Sequence, residues 1–260
     1  RCRFPVDLNF FGMPVRLHVT SDYEADQWLY FYKHHLGAAA TPEIEVFFEV
    51  VGPSESFIES IFRKNYSSKA MYVSRGDAMY LWAKFDTWSS VPSPLPPYTT
   101  APLNERVWAL NASAFRTAKG QGCVFVAPPY QGKSTLANAV IQHGGAPLSD
   151  NVTMLDRAEG TILPYLTPTG IREETLKKLP GLPEAVARMK MPFVTVSEVT
   201  GPVYLLHFDE IQECAASVPT EPAMVVLLRD VGEAMRGSYR LDDLSTDAAR
   251  SKLTPLLGDT

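Results

Sequence analysis

Apolar and polar residues alternate along the first part of the chain in a pattern that predicts strands. The segment "VDLNFFGMPVRLHV" has the period of two that is typical of strands, and Gly12 marks a turn between them. "EIEVFFEVV" predicts another strand and "SESFIESIFRKN" a short helix. "AMYVS" and "AMYLWAKF" predict a hairpin. We therefore expect residues 1–88 to form a small α+β domain.

One helix within these residues is signalled more strongly than the rest. In "SDYEADQWLYFYKHHLG", Ser21 and Glu24 form a capping-box pattern at the start of the predicted helix. Trp28, Leu29 and Tyr32 recur at helical spacing, so we expect them in the core.

The second half of the chain shows a different order of elements. Residues 89–104 hold five prolines, and we interpret this stiff, extended stretch as a linker. In the domain expected at 105–260, "GCVFVA" is typical of a buried strand, "KSTLANAVIQHGG" of a helix, and "APLSD" of a second strand. A strand, helix and strand within about 30 residues indicates a βαβ unit, so we expect the two strands to be parallel neighbours.

The remaining segments complete an α/β domain. "VTML" and "TILPYL" predict a hairpin, and "GPVYLLHF" and "AMVVLLRD" predict strands. "STDAARSKLTPLL" predicts a closing helix that is capped by Ser245.

Composition and charge bear on the partners of the protein and on its cellular compartment. The formal net charge of -5 argues against a nucleic acid as the main partner. No apolar run approaches the roughly 20 residues that span a bilayer, so we expect no membrane partner. Cys2, Cys123 and Cys214 form no CxxC pair, which favours a reducing compartment, and we expect a cytoplasmic protein. Cys123 lies in an apolar run and is expected to be a small buried hydrophobe.

The segment "VFVAPPYQGKSTLANAV" predicts a phosphate-binding loop between a strand and a helix. Backbone N–H groups from this region can surround an anion at the positive end of the helix dipole. Lys133 is expected to reach the β- and γ-phosphates, and the Ser134 hydroxyl to help hold Mg²⁺. The predicted nucleotide-binding residues are Ala127, Gln131, Gly132, Lys133, Ser134 and Thr135.

The start of this loop departs from the usual pattern, because Ala127 stands where glycine is common. Alanine is the least intrusive replacement for glycine, although it resists positive φ. Pro128 and Pro129 remove two N–H donors but fix φ, so we expect a stiff loop that still binds a nucleotide.

Asp150, in "PLSDN", is the second candidate for chemistry. It follows the predicted second strand, which places it at the carboxyl edge of the sheet on the side of the phosphate loop. A carboxylate there can hold Mg²⁺ or take a proton from an attacking hydroxyl. The alternative is a turn-forming Asp-Asn pair.

The order of "GKSTLANAV", "LSDN", "VTMLDRAEGTILPY" and "GIREE" resembles the catalytic domain of HPr kinase/phosphorylase over residues 105–257. It is still more similar to related small kinases that modify ribosomally made peptides (RiPPs), including lasso-peptide tailoring kinases. The resemblance implies a P-loop kinase domain with a central mixed β-sheet, Asp150 as the base, and unchanged roles for Lys133 and Ser134. Asn111, in "ALNASAF", stands where a histidine is common, and Asn151 where a second acidic residue is common. HPr kinases are often ring-shaped, which makes a homo-oligomer possible.

Three further residues have a functional and a structural interpretation. Arg172 in "TGIREE" is a candidate catalytic cation that steadies the transferring phosphate, or else a surface arginine at a helix start. His207 and Asp209 alternate on one face of a predicted strand. Since no third ligand stands at metal spacing, a hydrogen-bonded strand histidine is the favoured interpretation.

The sequence therefore predicts a kinase that uses ATP and Mg²⁺, with a serine of a peptide or small protein, such as a RiPP precursor, as its acceptor. Two alternatives stay open. One is an accessory protein that binds a nucleotide and docks a peptide without transfer, which the departures at Ala127, Asn111 and Asn151 favour. The other is a P-loop kinase that acts on a small metabolite.

Overall fold

The computed structural model describes residues 3–38, 41–51, 68–75, 78–85, 105–128, 131–188, 194–197 and 201–228, with positions 243, 245, 247, 248 and 251. The chain divides into two compact units. The first contains Arg1–Arg106 and Leu166–His207, and the second contains Val107–Tyr165 and Phe208–Thr260. Leu166–His207 thus belongs to the first unit, although it lies within the domain predicted at 105–260.

The described residues form a mixed α/β structure with several sheets and few helices. The strands, in chain order, are β1 Phe4–Phe10, β2 Met13–Val19, β3 Ile44–Val51, β4 Ser68–Arg75, β5 Ala78–Phe85, β6 Val107–Leu110, β7 Ala112–Arg116, β8 Gly122–Val126, β9 Ala146–Ser149, β10 Thr153–Asp156, β11 Ile162–Leu163, β12 Thr169–Arg172, β13 Val194–Ser197, β14 Gly201–Leu206 and β15 Pro222–Leu227. The helices are α1 Asp22–Phe31, α2 Lys133–Gln142, α3 Glu173–Lys178, α4 Leu182–Ala187 and α5 Phe208–Ile211. None of the described helices is long and apolar enough to cross a membrane.

The first unit is built on a five-stranded sheet in the order β1-β2-β3-β4-β5. The pair β2 and β3 is parallel, and the other neighbours are antiparallel. A second sheet joins β12, β14 and β13 in antiparallel pairs. The two predicted strands around Gly12 and the predicted pairing of β4 with β5 are confirmed.

Helix α1 begins where its capping signal predicts. Ser21 is the N-cap, and its Oγ accepts a hydrogen bond from the Glu24 backbone N–H at 3.1 Å. Trp28 and Tyr32 are fully buried, as predicted, because residues four apart share one face of a helix. The expectation for Leu29 is wrong: its side chain is 39% exposed, since it lies about 100° around the helix from Trp28.

The second unit is built on a mixed four-stranded sheet in the order β15-β8-β7-β9. β15 is parallel to β8, whereas β7 is antiparallel to both β8 and β9. A smaller antiparallel sheet joins β11, β10 and β6, and it confirms the predicted β10–β11 hairpin. At the start of β8, Gly122 leaves room for the residue before β15, because a Cβ there would clash with the Glu221 carbonyl oxygen.

Both faces of β8 are covered, which explains its unbroken apolar sequence. Val124 and Val126 pack with residues of β7 and β9 on one face. Cys123 and Phe125 pack with Ala137 of α2 on the other. Cys123 is buried, as predicted, and burial raises the pKa of its thiol.

One feature of the predicted topology is wrong. β9 runs in the same direction as β8, but it is not its neighbour, because β7 lies between them and pairs with both. The order of strands in a sheet depends on which distant segments pair, and the local pattern of β8, α2 and β9 carries no information about β7.

Several predicted elements cannot be compared with the structure. The predicted helix at 54–65 and the predicted linker at 89–104 lie outside the described residues. Most of the predicted closing helix at 245–257 does so too, although the Ala248 backbone N–H donates to Ser245 Oγ at 3.3 Å. The domain boundaries at 88 and 105 stay predictions.

Candidate active site

The predicted phosphate loop connects β8 to α2 in the second unit. Gly132 is the N-cap of α2 and has a φ of 84°. A Cβ at Gly132 would meet no atom within 4 Å, so glycine is required there by the backbone conformation and not by a lack of space. Among the described residues, only Phe11 and Asn151 are non-glycine positions with positive φ. Ala127 therefore has a backbone conformation that alanine tolerates.

Lys133 lies across the start of this loop. Its Nζ donates to the carbonyl oxygen of Ala127 at 2.7 Å and to that of Pro128 at 3.1 Å. Proline lacks an N–H but keeps its carbonyl group, so the replacements in this loop leave both acceptors in place. The Lys133 ammonium group thus holds the two ends of the loop together, and the departure from the usual sequence does not break this contact.

Asp150 meets the start of α2. It follows β9 directly and is only 1% exposed. Ser134, the second residue of α2, donates from Oγ to Asp150 Oδ1 at 2.8 Å. The structure thereby brings together the two residues that the sequence predicts as metal-binding.

Ser113 is a residue of the candidate site that the sequence analysis missed. It lies in β7 between Ala112 and Ala114, is fully buried, and donates from Oγ to Asp150 Oδ1 at 2.5 Å. The two hydroxyls therefore converge on one carboxylate oxygen. The signal in the sequence was a single polar residue within an apolar strand, which alone does not name its partner.

Asn151 adopts the left-handed backbone conformation, with a φ of 64°, and its Nδ2 lies 3.4 Å from Asp150 Oδ2. The Val152 backbone N–H donates to the Asp150 carbonyl oxygen at 2.8 Å. The Asp-Asn pair thus forms the turn that was the alternative interpretation, and the same turn directs the Asp150 carboxylate towards Ser134. The two interpretations are therefore compatible.

The donor set at this position fits Mg²⁺. Ser134 and Asp150 offer a hydroxyl and a carboxylate oxygen, and Mg²⁺ prefers such hard oxygen ligands, usually with few protein ligands and bound phosphates. α2 begins after Gly132, and the backbone amides at the N-terminus of a helix can bind phosphate oxygens.

Other predicted positions lie elsewhere. Arg172 ends β12 in the first unit and is the N-cap of α3, so the residue does stand at a helix start. Its assignment to the site stays a prediction. Asn111 is exposed between β6 and β7.

His207 is buried just after β14, and its Nε2 lies 2.7 Å from the Tyr30 carbonyl oxygen, which confirms a hydrogen-bonded histidine. The expectation that His207 and Asp209 share one strand face is wrong, because β14 ends at Leu206 and Asp209 lies in α5. A strand pattern cannot reveal a helical turn that begins within it.

No protein-family model matches this sequence, and a comparison with curated proteins found no match either.

Proposed function

We propose that the protein is a kinase that transfers the γ-phosphoryl group of ATP, with Mg²⁺, to a hydroxyl group. The observation that carries the proposal is the hydrogen bond between Ser134 Oγ and Asp150 Oδ1. It joins the first turn of the helix after the phosphate loop to a buried carboxylate at the carboxyl edge of the sheet. A phosphate loop next to such a carboxylate is what phosphoryl transfer requires.

In this proposal each residue acts on charge or on a proton. Lys133 and the amides of Gln131 to Thr135 offset the negative charge of the phosphates. Ser134 and Asp150 would hold Mg²⁺, which neutralises charge on the β- and γ-phosphates when it is bound. Asp150 also accepts the proton of the attacking hydroxyl.

We propose a serine of a peptide or small protein, such as a RiPP precursor, as the acceptor. The support for this step is the resemblance of residues 105–257 to HPr kinase/phosphorylase and to peptide tailoring kinases. A carboxylate that accepts a proton can serve any hydroxyl acceptor.

The first experiment is calorimetric titration of ATP with Mg²⁺ into the wild type and Lys133→Ala. We expect the variant to bind at least about ten-fold more weakly, which is about 1.4 kcal/mol. Lys119→Ala is the matched control, because it removes an exposed lysine from the turn before β8 in the same unit. Equal affinity in the wild type and Lys133→Ala, or no binding by either, contradicts the proposal.

The second experiment measures ADP formation in the presence of serine-containing peptides. Asp150→Asn keeps the shape of the side chain and removes its charge, so we expect transfer to fall by at least about a hundred-fold, within the range of general-base catalysis.

The burial of Asp150 favours a second function, an accessory protein that binds a nucleotide without transfer. Asp150 is 1% exposed and receives two hydroxyl groups on Oδ1, so the carboxylate has a structural task besides any catalytic one. Tight binding of ATP with no ADP formation against peptides or small hydroxyl compounds would favour this function. Transfer to small hydroxyl compounds alone would favour a metabolite kinase.

A further inference from the structure

We propose that Ser113 is a positioning residue of the nucleotide site and fixes the Asp150 carboxylate against the first turn of α2. This inference rests on the proposed function. Ser113 Oγ donates to Asp150 Oδ1 at 2.5 Å, and the same oxygen accepts from Ser134 Oγ at 2.8 Å. The carboxylate is therefore held from two directions, by a strand and by a helix.

The position of Ser113 is fixed by the sheet. β7 lies between β8 and β9, and Ser113 is paired with Phe125 of β8. Ser113 lies on the same face of β7 as Phe115, because residues two apart in a strand share a face. Phe115 packs with Ala137 of α2. Ser113 therefore lies on the side of the sheet that α2 covers, at the edge where the phosphate loop begins.

The chemistry of Asp150 explains why a fixed donor is needed. A buried carboxylate is strongly unfavourable unless hydrogen bonds compensate the loss of water, and bonds to an ionised group are the strongest of these. Ser134 belongs to the loop and helix that are proposed to contact phosphate and Mg²⁺. Ser113 belongs to a strand paired on both sides and keeps the orientation of the carboxylate independent of those ligands.

The test compares ATP affinity with Mg²⁺ and with EDTA in the full chain. For Ser113→Ala we expect about ten-fold weaker binding of ATP with Mg²⁺, and a change of less than about two-fold with EDTA. Ser113→Thr keeps the hydroxyl and should restore most of the Mg²⁺-dependent affinity. A purely structural role would lower the melting temperature without this metal-specific effect.

Ser149→Ala is the matched control. Ser149 is also fully buried and precedes Asp150, but its Oγ lies 2.7 Å from Thr153 Oγ1 and so bonds to a neutral hydroxyl. We expect this variant to lose stability and to keep the Mg²⁺-dependent affinity of the wild type. If Ser113→Ala does not fold, Ser113→Cys replaces it, because a thiol is a weak donor of similar shape and should give the same loss.

The outcomes separate this inference from the proposed function. Wild-type affinity in Ser113→Ala, in a chain whose binding is lost in Lys133→Ala, would overturn the role of Ser113 and leave the kinase proposal standing. If Ser149→Ala lost as much affinity for ATP with Mg²⁺ as Ser113→Ala, the positioning role of Ser113 would also be overturned. Any buried serine of this sheet would then have the same effect. No binding by the wild type would overturn both proposals.

Discussion

The two ten-residue helices, α1 and α2, begin in opposite ways. α1 is capped by the Ser21 side chain and has acidic residues, Asp22 and Glu24, in its first turn. α2 starts after Gly132 with Lys133, has no acidic residue in its first turn, and has no side-chain cap among the described residues. The positive end of the α1 dipole is thus matched by groups of its own segment, whereas the first turn of α2 contacts a carboxylate from outside its segment, through Ser134 Oγ and Asp150 Oδ1.

The two helices also end differently. α1 is followed by a short 3₁₀ helix, Lys33–His35, in which His35 is only 7% exposed. His35 Nε2 accepts a hydrogen bond from the Leu166 backbone N–H at 3.1 Å, within the first unit. α2 ends at His143, which is exposed. The polar groups around α1 contribute to stability, and under the proposed function those at the start of α2 bind phosphate.

The largest effect is expected in the pH dependence of stability, through His35 of the first unit. Burial, with a smaller contribution from the charge of His34, lowers the pKa of His35 to about 4. The unfolded chain binds a proton at this histidine below a pH of about 6.5, and the folded chain does not until about pH 4. Protonation of the unfolded chain therefore lowers the free energy of unfolding as the pH falls. We expect a decrease of about 3 kcal/mol between pH 7 and pH 4.

The measurement is urea unfolding of the wild type and His35→Gln at several pH values from 7 to 4. Gln cannot titrate, so the loss of stability on acidification should be smaller in the variant by about 3 kcal/mol. His143→Gln, which removes the exposed histidine at the end of α2, is the matched control. If the free energy of unfolding fell equally with pH in the wild type and in His35→Gln, His35 would not be held neutral in the folded protein.

The second largest effect is expected at Gly132, the N-cap of α2. Gly132→Ala forces alanine into the left-handed conformation, which costs about 1–2 kcal/mol of stability. We also expect ATP affinity to fall roughly thirty-fold, or about 2 kcal/mol, because the loop amides shift. Gly120→Ala is a close control: Gly120 has the same φ of 84°, a Cβ there would meet no atom within 4 Å, and it lies in the turn before β8.

Both glycine variants should lose similar stability, and only Gly132→Ala should lose affinity for ATP. Unfolding in urea and calorimetric titration separate the two quantities. An equal loss of affinity in both variants would show that the effect comes from general destabilisation of the second unit and not from the loop.

Local signals in the sequence were sufficient for α1, for α2 and for much of the sheet of the first unit, whereas the short helices α3, α4 and α5 were not predicted. The start of α1 follows from Ser21, and that of α2 from Gly132 and Lys133. Each signal acts within one turn of the helix, because capping groups and positive φ are local requirements. The contact of Ser134 with Asp150 was also accessible, since both residues lie at the ends of elements that the pattern defines.

Non-local pairing was not accessible in the same way. The segment "ALNASAF" has small residues without a clear period, so β7 was missed, and with it Ser113. The insertion of β7 between β8 and β9 depends on hydrogen bonds between segments far apart in the chain. The same pairing decides which side chain reaches Asp150, and no local pattern encodes it.

The smallest effect is expected from a substitution that makes the start of α2 resemble the start of α1. Thr135 stands three residues after the N-cap Gly132, as Glu24 stands three after Ser21. Thr135→Glu places a negative charge at the positive end of α2, which should raise stability by about 0.5 kcal/mol. The same charge repels phosphate, so ATP affinity should fall about five-fold, or 1 kcal/mol. Thr135→Gln introduces a side chain of the same length as Glu without the charge. It should show a smaller gain in stability and a smaller loss of ATP affinity. If Thr135→Glu gained stability and bound ATP as tightly as Thr135→Gln, phosphate would not lie at the start of α2, and the difference between the two helices would concern stability alone.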